Sequence, residues 1–160
     1  MNIFVLDRDP IVAAKMQCDK HVVKMIVETA QMLSTAVNEL GGRAKYRSAY
    51  KNHPCTVWAR QTLGNFLWLY DHGEALCAEY TFRYKKVHKS EAVISNCLHE
   101  VVSLPLHGLN ITPLPLCMPD EYKQDCPVKA YRAYYQSEKA YFAKWNKGRE
   151  EPFWWRAING

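Results

Sequence analysis

The segment "CDKHVVKMIVETAQML" (18–33) constrains the fold of this chain more than any other stretch. Apolar residues recur along it every three or four positions, which predicts a helix that is buried on nearly all sides. A narrow polar strip interrupts this pattern, because His21, Lys24, Glu28 and Gln31 follow one another at helical spacing and share one side of the helix. A solvent-facing side would explain a polar strip, but one so narrow fits the floor of a cleft better.

Start and stop signals divide the rest of the chain into further helices. Asp9 and Pro10 form a good helix N-terminus, and the Gly-Gly pair at 41–42 is a good helix stop. We therefore expect helices at about 10–17, 19–40, 54–86 (with a break or bend near Gly64 or Gly73) and 90–103, and from Pro127 through "PVKAYRAYYQSEKAYFAKWNK" (127–147).

The stretch at about 104–127 is rich in proline and cannot continue a helix, so we predict an ordered apolar loop that wraps the body of the protein. The segment 2–6 is short, apolar and extended, and the aromatic tail "EEPFWWRAING" (150–160) is expected to dock back on the domain. The predicted fold class is all-α. It is a compact, single-domain helical bundle of residues 1–160 with a short N-terminal extended segment and this loop.

Composition narrows the class of protein. With 48% hydrophobic and 23% charged residues, the chain is typical of a globular protein. No apolar run approaches the roughly 18–20 residues that span a bilayer, and the N-terminal sequence has no small-residue cleavage site. We therefore expect no membrane contact and a cytoplasmic location. None of the six cysteines stands in a C-x-x-C pair, so free thiols are predicted, and the oligomeric state stays open.

Positive charge is clustered rather than spread. The formal net charge is +5, and the segments "GGRAKYRSAYKNH" (41–53) and "RYKKVHK" (83–89) hold many of the basic residues, mixed with tyrosines. Such segments suit a partner that carries phosphates and stackable bases, although a solvated basic face has the same composition. The predicted partner is DNA or a nucleotide ligand.

A second polar strip runs along the helical pattern at 54–86. Asn65, His72, Glu79 and Lys86 follow one another at intervals of seven residues, or two helical turns. If this strip faces the first one across a groove, the two enclose a polar, aromatic site. The residues predicted to bind a nucleotide or phosphate are His53, Arg60, Asn65, Trp68, His72, Arg83 and Lys86.

The first strip supplies the chemistry in this interpretation. Its predicted catalytic residues are Lys20, His21, Lys24 and Glu28. A lysine that its surroundings make partly neutral is a nucleophile, and a neighbouring glutamate can transfer protons. We assign Lys24 or Lys20 as the amine and Glu28 as the proton-transfer group.

Cofactor and metal signatures are weak. The sequence contains no P-loop, dinucleotide-binding or serine-hydrolase motif, and no cofactor is predicted. Cys18 with His21, and His53 with Cys55, offer zinc ligands, but no set of four has a recognised spacing, so no metal site is predicted.

The layout resembles a known family. The segments "NIFVLDRDP", "CDKHVVKM", "NHPCTVWARQTLGNFLWLYDHGEALCAEYTFRYKKVHK" and "WNKGREEPFWW" resemble the pyrimidine-dimer DNA glycosylases of T-even phages and their relatives. These are small, basic, all-α enzymes. The resemblance implies an enzyme that extrudes nucleotides from a bent duplex, attacks the sugar C1′ with an amine to form an imine, and cleaves the backbone by β-elimination.

The same resemblance raises a question about the nucleophile. It implies the N-terminal amine of a small residue, exposed once the initiator methionine is removed. Here Asn2 follows Met1, and its side chain is large enough to keep the methionine in place. One possibility is that a lysine replaces the terminal amine, with His21 and Arg60 positioning phosphate. The other is that the chemistry differs.

Two other functions fit the same residues. One is a phage-type protein that binds or hydrolyses a free nucleotide or a cyclic nucleotide immune messenger. The other is a non-catalytic interaction protein, because the 10 tyrosines and 5 tryptophans suit an interface as well as a core.

Overall fold

Helices make up the secondary structure of the computed structural model, which describes residues 1–155. They are α1 (Pro10–Met16), α2 (Asp19–Glu39), α3 (Pro54–Ala59), α4 (Leu63–Tyr84), α5 (Glu91–Val101) and α6 (Pro127–Glu138), with a 3₁₀ turn at Asp120–Tyr122. Residues 1–155 contain no strand, which confirms the all-α prediction. That the whole chain is one domain stays a prediction.

Helix α2 lies at the centre of the bundle and packs against α3, α4 and α5, while α1 packs against α4. The apolar side chains of α2, such as Ile26 and Leu33, are fully buried, as its spacing predicts. The segment 2–6 is also buried and belongs to the core, but it turns at Phe4, where the Leu6 amide donates to the Phe4 carbonyl at 2.9 Å, so it is not extended throughout. No helix within residues 1–155 has the length and apolar character that a membrane crossing requires.

The long pattern at 54–86 divides into two helices at residues 60–62, close to Gly64. Helix α3 ends at Ala59 and α4 begins at Leu63, where the Thr62 hydroxyl accepts a hydrogen bond from the Asn65 amide at 3.0 Å. The break lies close to the predicted position at Gly64, whereas α4 continues through Gly73 without interruption. Both glycines also permit close packing, because a Cβ at Gly64 would meet the Leu109 carbonyl oxygen.

The last helix is shorter than predicted. It ends at Glu138, and the chain then turns back onto the N-terminus of α2. The amide of Asp19 donates to the Lys144 carbonyl at 2.9 Å, and the Asn146 amide donates to the Asp19 carboxylate at 2.8 Å. These tertiary bonds replace further helical turns.

The aromatic tail docks on the body as far as the structure describes it. Trp154 and Trp155 are buried, and the Gln136 side chain donates a hydrogen bond to the Trp154 carbonyl. This confirms the predicted docking for that part of the tail. Residues 156–160 lie outside the described residues.

The proline-rich loop is ordered by hydrogen bonds, as expected. Leu63 donates to the His107 carbonyl, the Trp58 indole donates to the Thr112 carbonyl at 3.0 Å, and the Tyr131 hydroxyl donates to the Pro115 carbonyl at 2.6 Å. The loop therefore runs along the end of α3 and the start of α4, and it carries Cys117 to the N-terminal segment.

Candidate active site

Glu28 is the centre of the polar contacts around the start of the chain. Its Oε1 accepts a hydrogen bond from the Asn2 amide at 3.1 Å and lies 3.5 Å from the α-amino nitrogen of Met1. Its Oε2 lies 4.0 Å from Lys24 Nζ. A carboxylate thus stands next to two main-chain nitrogens and one side-chain amine.

The Asn2 side chain folds the N-terminal segment against Glu28. Its Oδ1 accepts hydrogen bonds from the amides of Ile3 at 2.7 Å and Phe4 at 3.0 Å, and its Nδ2 donates to the Cys117 carbonyl at 2.8 Å. Phe4 has a left-handed backbone with φ +58°, which a non-glycine residue adopts only with local support. The Asn2 bonds provide that support and fix the direction of the first two residues.

The main chain of Met1 is partly exposed to solvent. The Met1 side chain is 2% exposed, whereas the residue as a whole is only half-buried, so the exposed surface of Met1 belongs to its main chain. The Glu28 side chain is 15% exposed. An amine on a partly exposed main chain, next to a partly exposed carboxylate, can act on a ligand placed over them.

A basic surface begins beside this pair. A pocket of about 520 Å³ is lined by Lys20, Lys24, Tyr84, Phe142, Lys144 and Lys147, among others. A second pocket of about 220 Å³ shares Lys20, Lys24 and Phe142 with it and adds Lys139 and Tyr141. We call the lysines 20, 24, 139, 144 and 147 the basic surface. Lysines next to exposed rings suit a phosphate backbone with unstacked bases.

Two thiols and an imidazole lie near the same amino group. Cys55 Sγ is 3.5 Å from Cys117 Sγ, and the Cys55 amide donates to His53 Nδ1 at 3.1 Å. The hydrogen bond with Cys55 lowers the pKa of Cys117, while the same contact and burial raise the pKa of Cys55. The charge of the N-terminal amino group acts on both thiols and on His53. All six cysteines are free, as predicted.

His21, from the first strip, is buried among aromatic rings. Its ring centroid lies 4.6 Å from that of Phe4 and 5.2 Å from those of Tyr135 and Phe142, and its Nδ1 has no hydrogen-bond partner. Burial, followed by the charges of Lys139 and two other lysines, lowers the pKa of His21 to about 3. The imidazole is therefore neutral, and its predicted catalytic role stays a prediction.

The second strip does not face the first across a groove, so this part of the prediction is wrong. Asn65 and His72 are fully buried. The Asn65 side chain donates to the Trp58 carbonyl at 2.9 Å and to Thr112 Oγ1 at 2.7 Å, and it accepts from the Thr112 amide. His72 Nδ1 bonds the Pro10 carbonyl at 2.9 Å. These bonds hold α1 and the proline-rich loop in place.

Arg83 and Glu79 form a buried ion network. Arg83 lies 2.9 Å from Glu79 and 3.1 Å from Asp19, and Arg149 lies 2.8 Å from Glu79. Arg83 also donates to the carbonyl of Gln17 near the end of α1. The network ties α1, α2, α4 and the C-terminal segment together.

The remaining predicted binding residues lie apart from Glu28 or serve the fold. Arg60 donates to the Lys51 carbonyl at 2.7 Å, and the Trp68 indole donates to the Arg8 carbonyl at 2.9 Å. His53 caps α3, and Lys86 is exposed. Their assigned contacts with a nucleotide or phosphate stay predictions.

The sequence analysis missed the contacts of Asn2 and the position of Cys117. A polar residue at the start of an apolar segment was the available signal for Asn2. Nothing local marks Cys117, because 115 residues separate it from Asn2. The helical pattern at 127–147 gives no sign that Lys139, Lys144 and Lys147 lie beside Lys20 and Lys24, because the chain leaves the helix after Glu138 and turns back.

Comparison with known proteins identifies a family. A family model described as pyrimidine dimer DNA glycosylase matches residues 1–92, more than half of the 160 residues, and this range includes the N-terminal segment, Glu28 and α1 to α4. No curated protein and no solved structure matches the chain significantly.

Proposed function

Because the chain belongs to the pyrimidine dimer DNA glycosylase family, we propose that it is a DNA glycosylase with AP-lyase activity and that its nucleophile is the α-amino group beside Glu28. The single observation that carries this proposal is the position of Glu28 Oε1, within 3.5 Å of the Met1 nitrogen and 3.1 Å from that of Asn2. If Met1 is removed in the cell, the Asn2 nitrogen becomes the amine and still contacts the same carboxylate.

The reaction can be written with these two groups. Glu28 accepts a proton from the ammonium group, and the free amine attacks the sugar C1′ as the bond from C1′ to the base breaks. Glu28 gives that proton to the departing base and is a carboxylate again, and the attached amine passes one of its protons to the ring oxygen O4′, so the sugar ring opens and a protonated imine links the chain to C1′. Removal of a C2′ proton by the Glu28 carboxylate then expels the 3′ phosphate by β-elimination.

The basic surface would hold the DNA. Lys24 is 70% exposed and lies between Glu28 and the pockets that Phe142 lines, so it suits a phosphate contact beside the reacting sugar. The exposed Tyr141 and the half-buried Phe142 offer rings for an extruded base. Lys24 or Lys20 as the amine remains the alternative for the nucleophile.

Borohydride trapping tests the proposal. The protein is incubated with a duplex that contains a pyrimidine dimer or an abasic site, and sodium borohydride reduces the imine to a stable adduct. Mass spectrometry of the digested adduct then locates the attachment. We expect the adduct on the N-terminal peptide, and an N-terminal extension of a few residues should abolish it.

Side-chain variants separate the roles in the same assay. Glu28→Gln should slow trapping by about 100-fold or more, because the proton-transfer group is lost. Glu39→Gln, at the exposed end of the same helix, is the matched control and should react normally. Lys24→Ala should still form the adduct. An adduct on Lys24 or Lys20 would move the nucleophile to the side chain, and no adduct on any duplex would remove the lyase activity.

The pocket of about 520 Å³ supports a second candidate function. Its size and its lysine and aromatic lining suit a free nucleotide or a cyclic nucleotide. A thermal-shift comparison of nucleotides with short duplexes tests this, because a bound ligand raises the melting temperature by mass action. Binding of DNA should weaken steeply with salt, whereas binding of a small nucleotide should depend on salt less.

A further inference from the structure

Three metal-ligating side chains from distant parts of the chain converge next to the N-terminal segment. His53 and Cys55 stand at the start of α3, and Cys117 comes from the proline-rich loop, 62 residues after Cys55. Their donor atoms all lie within 4.8 Å of one another. We propose that Cys55 Sγ, Cys117 Sγ and a ring nitrogen of His53 bind a soft divalent cation of the zinc class, with a fourth position left for another ligand.

The distances suit this cation. Zinc binds thiolate sulfur at about 2.3 Å and imidazole nitrogen at about 2.0–2.1 Å in a tetrahedron, which separates two sulfur ligands by about 1.6 times the metal–sulfur distance, or about 3.8 Å. The observed Sγ–Sγ separation is 3.5 Å. The corresponding nitrogen–sulfur separation is about 3.6 Å, and the His53 donor lies within 4.8 Å of both sulfur atoms. Each nitrogen–sulfur distance therefore has to shorten by about 1.2 Å at most, which a side-chain rotation at the start of a short helix can provide.

The donor types and charges also fit. Thiolate and imidazole are ligands that zinc prefers over the hard cations calcium and magnesium. Two thiolates balance the two charges of the ion. Cys117 and His53 are only half-buried, which leaves a route for the ion, while Cys55 is buried.

The main chain around the donors is held before any ion arrives. The Cys117 amide donates to the Tyr131 hydroxyl at 3.2 Å, and the Cys117 carbonyl accepts from Asn2 Nδ2 at 2.8 Å. His53 donates its amide to the Tyr50 carbonyl at 2.9 Å. Fixed ligands of this kind lower the ordering that metal binding requires.

Metal binding changes one local bond. His53 Nδ1 accepts the Cys55 amide at 3.1 Å, so its other nitrogen carries the proton in the neutral ring. Coordination through Nδ1 replaces that hydrogen bond with the metal. The ion would then join α3 to the proline-rich loop, and through the Asn2 contact it would steady the segment that reaches Glu28.

Cobalt(II) is the probe for this site. The full chain is reduced, stripped of metal with a chelator and titrated with Co²⁺, and the thiolate-to-cobalt charge-transfer band and the visible bands of four-coordinate cobalt are recorded. We expect one Co²⁺ per chain, displaced by Zn²⁺. Zn²⁺ should also raise the melting temperature of the stripped protein.

Variants assign the ligands. Cys55→Ser and Cys117→Ser should weaken Co²⁺ binding by at least tenfold and remove part or all of the charge-transfer band. His53→Asn keeps a side chain that can cap α3 and should lose affinity without unfolding. Cys126→Ser, a half-buried cysteine outside the cluster, is the matched control and should bind like the parent chain. Circular dichroism of each stripped variant checks that it is folded.

Other results would overturn the site. The proposal fails if reduced, folded protein gives no thiolate band, or if the two cysteine variants bind Co²⁺ as tightly as the parent. A Cys55–Cys117 disulfide in the isolated protein, with no Co²⁺ binding after reduction, would assign the pair to thiol redox chemistry instead. Borohydride trapping is not part of this test, so the outcome is independent of the proposed glycosylase reaction.

Discussion

Replacing Arg83 by methionine should make the protein much easier to unfold without weakening its binding to DNA. The Arg83 side chain is fully buried. It donates to Glu79 at 2.9 Å and Asp19 at 3.1 Å, and to the carbonyls of Gln17 at 2.7 Å and Lys15 at 2.9 Å. Methionine has a similar length but no donor, so these acceptors lose a partner.

The size of the effect follows from what is left behind. Breaking a buried ion pair by removing one partner costs about 3–5 kcal/mol, because the other charge stays buried. In the variant Glu79 still accepts hydrogen bonds from Arg149, and Asp19 still accepts one from the Asn146 amide, so each carboxylate keeps at least one donor. We therefore expect the free energy of unfolding to fall by about 3–4 kcal/mol, toward the lower end of that range.

Two measurements check this prediction. Urea unfolding followed by circular dichroism at neutral pH gives the loss of stability, and DNA affinity at several salt concentrations gives the number of phosphates contacted. A residue that binds one phosphate changes the slope of log K against log salt by about 0.9 when it is removed. Arg83→Met should leave the slope unchanged. Lys86→Met, on an exposed lysine close by, should change stability by no more than about 0.5 kcal/mol.

A loss of stability below about 1 kcal/mol would refute the reasoning, because removing the one cation that two buried carboxylates share should cost more than that. A change in the salt slope of about one unit would show that Arg83 contacts a phosphate, and it would support the sequence-based assignment of Arg83 to phosphate binding.

Other expectations concern pH, DNA contact and packing. Burial lowers the pKa of His21 to about 3 and that of His72 to about 4, so below the unfolded pKa of 6.5 the unfolded chain binds more protons. The two neutral histidines therefore contribute their full share to the free energy of unfolding above pH 6.5. As the pH drops toward 4, that free energy should fall by up to about 1.4 kcal/mol per pH unit for each histidine. Urea unfolding at a series of pH values measures this loss, and His21→Phe should make the free energy of unfolding depend less on pH. Lys24→Ala should lower the salt slope of DNA binding by about 0.9 if Lys24 contacts one phosphate. Gly64→Ala should destabilise the fold by about 1–3 kcal/mol in the same urea assay, because the new Cβ would meet the Leu109 carbonyl.

Most of the helices can be predicted from local signals. Helix α2 was expected at about 19–40 and spans Asp19–Glu39, because its apolar spacing and the following glycines are features of that segment alone. The errors arise where tertiary contacts decide. The aromatic pattern after Glu138 (Tyr141, Phe142 and Trp145) could continue a helix. Asp19 instead binds main-chain groups at 144 and 146 and holds the segment against α2.

The proximity of Lys24 and Glu28 could also be predicted, because one helical turn separates them. The contact between Glu28 and the Asn2 amide at the start of the chain could not be predicted from the sequence. Asn2 lies 26 residues earlier than Glu28, and it is brought there by a left-handed residue at Phe4 and by its own hydrogen bonds. Helical spacing contains no information about such a turn.

The polar residues of α4 show why polarity on an apolar background cannot by itself identify a site. A side chain that bonds inside the core and one that lines a cleft give the same pattern, and His72 is of the first kind. The His72 Nδ1 donates to the Pro10 carbonyl, so its Nε2 accepts a hydrogen bond from the side-chain nitrogen of Gln17 (Nε2) at 3.2 Å. The same Gln17 nitrogen also donates to the carbonyl of Ile3 at 3.2 Å. Ile3 follows Asn2, whose amide meets Glu28. His72 is therefore linked through Gln17 to the segment that presents the amine, and any effect of its replacement on the reaction would act through the position of that segment.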